Sequence, residues 1–200
     1  MAERPSLRAE QIEATRRAVI DSARRLFGAE GYAAASIDRI ASDARVTKGA
    51  VYHHFGSKEG LFRAVYEEVE AEAQMRTAVA VDPNASPLAQ IVQGVRAYLD
   101  ATLDPVVQRI TLIDAPAVLG PEPDGPPGEQ PGHVGLREFV AQAVAAGEIT
   151  AVDPDAVVHL LSGACLHAAT LIARSPDQTG ARRRIGAALE AMIAGLAPAR

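Results

Sequence analysis

The chain has 200 residues, a formal net charge of -5, a single cysteine at Cys165 and no tryptophan. One cysteine excludes an intramolecular disulfide framework, and a negative net charge taken alone argues against a nucleic-acid partner. The sequence shows neither a signal peptide nor an uncharged apolar run of about 20 residues, so we expect a cytoplasmic protein with no membrane contact.

The charge is unevenly divided along the chain. Residues 1–66 contain eleven lysines and arginines against eight acidic residues, whereas residues 67–200 contain nine against seventeen. The first third is therefore basic and the remainder acidic. So modest an excess has weight only if a DNA-binding motif coincides with it.

The first predicted helix runs from Gln11 to Ala29. Its apolar residues recur at helical spacing, and Gly31 supplies a stop signal at its end. Residues 1–10 are polar and predicted to be loose, with a basic arm formed by Arg4 and Arg8 as the alternative.

Two short helices and a tight turn are predicted next. Ser36 is placed to cap a helix whose apolar residues fall at i, i+3, i+4 and i+7, and Thr47 is placed to cap a second helix of barely two turns. A helix that short is marginal alone in water. It must pack on its neighbours, and its outward face is then available to enter a DNA groove.

The run over residues 31–62 resembles the N-terminal DNA-binding domain of TetR-family transcriptional regulators. The resemblance lies in Ser36-Ile37, Ile40-Ala41, the run Val46-Thr47-Lys48-Gly49-Ala50-Val51-Tyr52-His53-His54-Phe55, and the run Ser57-Lys58-Glu59-Gly60-Leu61-Phe62. One position departs from the family pattern, because Arg45 stands where a glycine is usual. A left-handed conformation there costs on the order of 1 kcal/mol, which the fold should tolerate.

The DNA contacts expected from these residues are of two kinds. Ser36 and Thr47 can offer hydroxyls and helix-terminal amides to phosphate, and the resemblance implies backbone contacts for Tyr52 and Lys58. The residues expected to face base edges are Lys48, Gly49, Ala50 and His53, and Arg39 is expected to contact either a base or a phosphate. For His54 we favour packing or capping.

The rest of the chain is predicted to be helical. Ser57 opens a long linking helix to about Met75, turn-forming residues cluster over 81–87, and Ser86-Pro87, Asp104-Pro105 and Asp153-Pro154 each mark a helix start. We expect the second of these helices to break at Pro116, and a further helix to run from Val134 to Ala146. Residues 120–133 are predicted to be either a surface loop or a lid over a pocket.

No segment alternates as a strand would, so the predicted class is all-α. We assign residues 1–60 to a three-helix helix-turn-helix DNA-binding domain and residues 61–200 to a larger helical domain for ligand binding and dimerisation. The last two helices are unusually apolar and unusually rich in alanine and glycine. Internal packing would explain this, but the resemblance favours a homodimeric four-helix bundle. The expected interface residues are Cys165, Ala168, Leu171, Leu189 and Ile193.

A small-molecule pocket is expected between helices of the larger domain. Its predicted lining is Tyr98, Leu112, Val118, Phe139 and His167. Because few cationic residues fall in this region, a ligand should be mainly apolar. An enzyme built on Cys165 and His167 is disfavoured, since residues two apart point about 200° apart on a helix. We expect no cofactor and no metal ion.

The resemblance thus implies a transcriptional regulator that binds a two-fold-related double-stranded DNA operator as a homodimer. It implies a repressor that a small effector releases by tilting the linking helix. A DNA-binding regulator that responds to no ligand is the alternative, and a small enzyme is the third possibility.

Overall fold

The computed structural model of the chain describes residues 7–120, 131–150 and 153–198, with residues 131–133 as backbone only. Within these ranges all regular secondary structure is helical. The predicted all-α class is confirmed.

Three helices form the amino-terminal head: α1 (Leu7–Glu30), α2 (Ile37–Asp43) and α3 (Lys48–Phe55). Helix α1 begins at Leu7, four residues before the predicted start, so the loose-tail prediction was wrong for residues 7–10. Arg8 lies exposed on this first turn. Arg4, the other residue of the suggested basic arm, lies outside the described residues.

Side chains cap the two short helices as predicted. The Ser36 hydroxyl accepts a hydrogen bond from the Arg39 backbone N–H at 3.2 Å, and the Thr47 hydroxyl accepts one from the Ala50 N–H at 3.1 Å. Between the helices Arg45 adopts a left-handed conformation with φ of 57°. The turn therefore keeps the backbone geometry for which glycine is usual.

The core of the head is built around three aromatic rings. The ring centroids of Phe27, Tyr32 and Phe62 lie 5.1 to 5.8 Å from one another. Phe62 belongs to α4 (Lys58–Val79), which carries Leu61, Val65 and other buried residues into the same core. Helix α4 is one turn longer than predicted, and it leads from the head into the larger domain.

The next helices are α5 (Pro87–Ala101) and α6 (Pro105–Val107), which begin where the Ser86-Pro87 and Asp104-Pro105 signals predict. Helix α6 continues into a π-helical segment (Gln108–Asp114) and then into α7 (Ala115–Val118). The predicted break at Pro116 was therefore wrong. Pro116 falls in the first turn of α7, directly after the wider π-helical turns, where a missing N–H is tolerated. We call the whole of Pro105–Val118 the strut.

The remaining helices are α8 (Pro131–Ala145), α9 (Pro154–Ala173) and α10 (Gln178–Ala194). The start of α9 after Asp153 is as predicted. Residues 121–130, most of the predicted loop or lid, lie outside the described residues. Residues 131–133 are helical, so the part of that prediction covering them was wrong.

Two hydrophobic cores organise the described chain. The first holds the head, α4 and the strut residues Val107, Ile110 and Ala115. The second holds α5, α8, α9 and α10, and Leu112 of the strut packs against it. The domain boundary predicted at residue 60 thus falls inside α4 and separates residues that pack in one core.

Helix α9 is long and apolar enough to cross a membrane by length and composition alone, with a mean hydropathy of 1.7. Residues 156–173 contain no Asp, Glu, Lys or Arg, so the expectation that no such run exists was wrong. One helix of this kind is weak support for a membrane span, since core and interface helices have the same composition.

Candidate nucleic-acid interface

Helix α3 presents most of its surface to solvent. Val51 is fully buried against α1, α2 and α4, which fixes the opposite side of the helix outward. Lys48, Gly49, Tyr52 and His53 are exposed, and Ala50 is half-buried. The structure therefore brings the predicted base-facing residues together on one convex surface.

Gly49 is not required by the fold. A Cβ atom at this position would have as its nearest neighbour the Thr47 Oγ1 atom, 3.8 Å away, so alanine would fit without strain. The absence of a side chain instead lowers the surface of α3 at its amino end. A lower surface permits closer approach of another molecule.

Two of the predicted DNA-binding cations, Lys48 and Arg39, are ion-paired with carboxylates. Lys48 Nζ donates to Asp38 Oδ2 at 3.0 Å, and this hydrogen bond raises the pKa of the lysine. The Arg39 guanidinium donates two hydrogen bonds to Glu30, the longer at 2.8 Å, which raise the pKa of the arginine. The sequence analysis missed both acids, because they lie ten and nine residues from their partners.

The predicted phosphate-binding hydroxyls already serve as helix caps. Ser36 is half-buried and Thr47 is exposed. Each hydroxyl oxygen accepts a backbone N–H, which leaves its own hydrogen available to donate. Capping and phosphate binding are therefore compatible at both positions.

Lys58 is anchored at the start of α4. Its Nζ atom lies 4.4 Å from the centroid of the Tyr32 ring, a cation–π contact that the sequence analysis did not identify. Tyr52 is 41% exposed on the neighbouring helix. His54 is half-buried, with its ring centroid 6.1 Å from that of Phe55, in agreement with the packing role favoured for it.

The turn between α3 and α4 depends on Gly60. A Cβ atom there would lie 2.2 Å from the Phe55 carbonyl oxygen, an impossible contact with the backbone. The Ser57 hydroxyl accepts the Gly60 N–H at 2.9 Å. This close crossing sets the position of Lys58 relative to α3.

The predicted pocket residues do not surround one cavity. Tyr98, Leu112 and Phe139 pack against the second core, whereas Val118 packs against the first and His167 is exposed. The clefts formed by the described residues include two open ones. One of about 440 Å³ lies between α4 and α5 and includes Arg76 and Arg96, and one of about 300 Å³ lies beside α2. Neither is lined by the predicted residues.

Cys165 and His167, the residues considered for an enzyme, are not arranged as a catalytic pair. Burial raises the pKa of the Cys165 thiol to about 12, which keeps it protonated and weakly nucleophilic at neutral pH. His167 lies on the exposed side of the same helix. Among the described residues, no group of three or more His, Cys, Asp or Glu is placed to hold a metal ion.

The predicted dimer residues are divided between the inside and the outside of the chain. Ala168, Leu189 and Ile193 are buried in the second core, Cys165 is half-buried, and only Leu171 is exposed. The first three therefore contribute no surface to another chain. Other apolar side chains are exposed there, and we call them with their neighbours the α9–α10 face: His159, Leu160, Gly163, Leu166, His167 and Leu171 of α9, and Ala187, Ala188, Ala191 and Met192 of α10.

Comparison with known families accounts for both parts of the chain. Residues 19–65 match the family model described as bacterial regulatory proteins, tetR family, and residues 88–196 match the tetracyclin repressor-like C-terminal domain. The chain belongs to the TetR family. The family resemblance inferred from residues 31–62 is confirmed.

Two similar proteins match the chain over most of its length, and a third matches it over a shorter stretch. The Transposon Tn10 TetC protein of Escherichia coli is 30% identical over 162 residues, which cover 80% of this chain and 81% of that protein. The crystal structure of a TetR-family regulator from Pectobacterium atrosepticum is 34% identical, with a TM-score of 0.82 and coverage of 95% of this chain and 97% of that one. The A-factor receptor protein of Streptomyces griseus is 38% identical over 80 residues, 40% of this chain and 27% of that protein.

These likenesses define the general role of the molecule. It is a DNA-binding transcriptional regulator of the TetR family, with an N-terminal helix-turn-helix head and a helical C-terminal domain. Regulators of this family are typically repressors with a ligand-binding C-terminal domain.

Proposed function

We propose that this TetR-family regulator represses transcription as a homodimer bound to two-fold-related operator half-sites, and that a small, mainly apolar molecule in the C-terminal domain releases it. The observation that carries the DNA-binding part is the exposed surface of α3, where Lys48, Gly49, Tyr52 and His53 lie side by side. A protein acting on the chromosome in this way works in the cytoplasm.

Two kinds of DNA contact are assigned to this surface. Lys48 at the amino end of α3 reads base edges, and Ala50 contacts a thymine methyl. Thr47, Tyr52 and Lys58 hold phosphates and set the position of α3 in the major groove. The carboxylate partner of Lys48 must be exchanged for DNA when the complex forms.

The test begins with selection of bound DNA from a random pool, followed by fluorescence anisotropy on the selected operator. Lys58→Ala should weaken binding to all sequences alike and reduce the salt slope by about 1. Lys48→Ala should change the preference at one base pair, on the order of 10-fold. Arg137→Ala provides the control, since this half-exposed cation lies on α8, away from the head and outside the α9–α10 face. An unchanged slope for the first variant or unchanged preference for the second would contradict the assigned contacts.

The α9–α10 face supports the homodimer. Leu160 is 76%, Leu166 53% and Met192 65% exposed, a concentration of apolar surface unusual for a monomer. Leu160→Glu should therefore yield folded monomers that bind operator weakly. Leu189→Glu should instead unfold the chain, because Leu189 is only 4% exposed and the carboxylate of the new glutamate would be buried. A stable dimer for Leu160→Glu in light scattering would exclude this face.

The effector is the least constrained part of the proposal. Three residues of the predicted pocket, Tyr98, Leu112 and Phe139, share the edge of the second core and offer an apolar lining. Arg96 is ion-paired with Glu190, so it is poorly placed to attract an anionic ligand. The similar Streptomyces griseus protein is by name a receptor, which favours a regulator that responds to a ligand.

A regulator that responds to no ligand is the second candidate. It is favoured by one observation, that the five predicted pocket residues are not gathered around a cavity. A thermal-shift screen of small apolar compounds separates the two. A compound that raises the unfolding temperature and weakens operator binding supports the effector, whereas stabilisation without any change in DNA affinity favours the alternative.

A further inference from the structure

The exposed side of α9 has a symmetric sequence. His159 and Leu160 stand four and three residues before Gly163, and Leu166 and His167 stand three and four residues after it. All five residues are exposed. Because spacings of three and four return to the same side of a helix, the five lie on one face with the glycine at its centre.

The packing of the described residues does not require a glycine at position 163. A Cβ atom there would meet nothing within 4 Å, and φ is not in the left-handed region. Glycine inside a helix is about 1 kcal/mol less favourable than alanine. A glycine at the centre of an exposed apolar face is useful where a second backbone must approach closely.

We propose that α9 packs antiparallel against α9 of a second copy, about a two-fold axis that passes beside Gly163. This register rests on the homodimer proposed above and adds its geometry. In an interface between identical surfaces, residue i contacts j and residue j contacts i. His159 and Leu160 of one protomer then lie against the partner's Leu166 and the partner's His167, and the two glycines face each other.

A second copy fits the charge of this face. Its exposed α9 residues, from His159 to Leu171, extend about 18 Å along the helix, and exposed residues of α10 widen the apolar surface beside them. Residues 156–173 contain no Asp, Glu, Lys or Arg, so two copies meet along α9 without burying an unpaired charge of that segment.

Disulfide trapping in the full-length chain tests the register. The background is Cys165→Ala, which removes the only native cysteine. Gly163→Cys should cross-link with its own symmetry mate, since the two residues face each other at the axis. The double variant Leu160→Cys with His167→Cys should also cross-link, because each cysteine meets the other cysteine of the partner.

Single variants provide matched controls. Leu160→Cys alone should remain uncross-linked, since in this register it lies about 9 Å along the helix from its own mate, and His167→Cys alone is farther still. The two positions are also about 10 Å apart within one chain, which prevents an internal disulfide. Non-reducing electrophoresis after mild oxidation measures each outcome.

Light scattering of the Cys165→Ala chain separates this inference from the dimer itself. A dimer with cross-linking confined to Gly163→Cys and the double variant supports the register. A dimer in which Leu160→Cys cross-links to itself, or in which neither expected variant cross-links, overturns the register and leaves the dimer standing. A monomer at micromolar concentration overturns both. The double variant keeps the test valid if a cysteine at Gly163 disturbs close packing.

Discussion

Asp114 connects the strut to the head through hydrogen bonds, and the variant Asp114→Ala tests how much they stabilise the fold. The side chain is 9% exposed at the end of the π-helical segment. One of its oxygens, Oδ2, accepts the Tyr32 backbone N–H at 2.7 Å and the Arg109 Nε–H at 3.2 Å. The carboxylate thereby joins the turn between α1 and α2 to an element 82 residues farther along the chain.

The expected cost follows from these two hydrogen bonds. A bond to a charged acceptor contributes roughly 1.5–3 kcal/mol, and a buried donor left without an acceptor costs a similar amount. The contribution from Arg109 is smaller, since its side chain is 38% exposed and can be rehydrated by water. We therefore expect Asp114→Ala to lower the free energy of unfolding by about 2–3 kcal/mol.

Urea unfolding followed by circular dichroism measures this difference. Asp100→Ala is the matched control, because Asp100 also binds an arginine, Arg182, at 2.8 Å but its side chain is 62% exposed. That variant should lose less than about 1 kcal/mol. Asp114→Asn keeps an acceptor for the Tyr32 N–H and should fall between the two. Equal losses for Asp114→Ala and Asp100→Ala would refute the role assigned to the buried carboxylate.

Three further perturbations test the head and its junction with α4. Asp38→Asn weakens the ion pair that holds Lys48, so the lysine can reach phosphates and the affinity for random DNA should rise several-fold. The preference for the operator over random DNA should fall, which fluorescence anisotropy with both DNAs measures. An unchanged preference would show that Asp38 does not restrain Lys48. Glu72 has its pKa lowered below the ordinary 4.5, chiefly by the hydrogen bond from Arg24. This ion pair should therefore stabilise the fold by roughly 0.5–1 kcal/mol above pH 4.5, and this contribution should be lost as the pH falls further. The difference in unfolding free energy between the wild type and Glu72→Gln should accordingly vanish in acid. A difference that grows in acid would contradict this pH dependence. Gly60→Ala should lower the free energy of unfolding by about 1–3 kcal/mol, because the added methyl group clashes with the Phe55 carbonyl oxygen. If the variant is as stable as the wild type in thermal unfolding, the close crossing of α3 and α4 is contradicted.

Local signals in the sequence predicted the head well. Ser36, Thr47 and Ser57 each cap the helix that follows, and the hydrogen bonds that do so span only three residues. Such contacts are encoded within one turn of chain and need no knowledge of the fold. The carboxylate partners of Lys48 and Arg39 are different, because they lie on neighbouring helices whose packing must be known first.

Composition explains why the dimer and pocket residues were harder to place. Helix α9 is apolar on every side, so periodicity does not tell the buried Leu161 from the adjacent Leu160, which is 76% exposed. Leu189 and Ile193 of α10 were assigned to an interface although they belong to the core, because apolar spacing does not tell whether a stripe packs inside the chain or against a second copy. The predicted break at Pro116 was wrong for another reason. Proline usually ends an α-helix, but here it follows a widened π-helical segment that accommodates its ring.

The strut determines how a change in one core can reach the other. Leu112 packs against the second core, and Ile110 packs in the first. The contact with α1 is close, because a Cβ atom at Gly28 would lie 3.1 Å from a Val106 methyl and one at Gly31 would collide with the Arg109 guanidinium. Packed interiors of this kind do not absorb displacement, so a shift of the strut by an ångström must move α1 or break the contact. A ligand bound beside Leu112 can therefore alter DNA affinity only to the extent that it binds one position of the strut more tightly than the other.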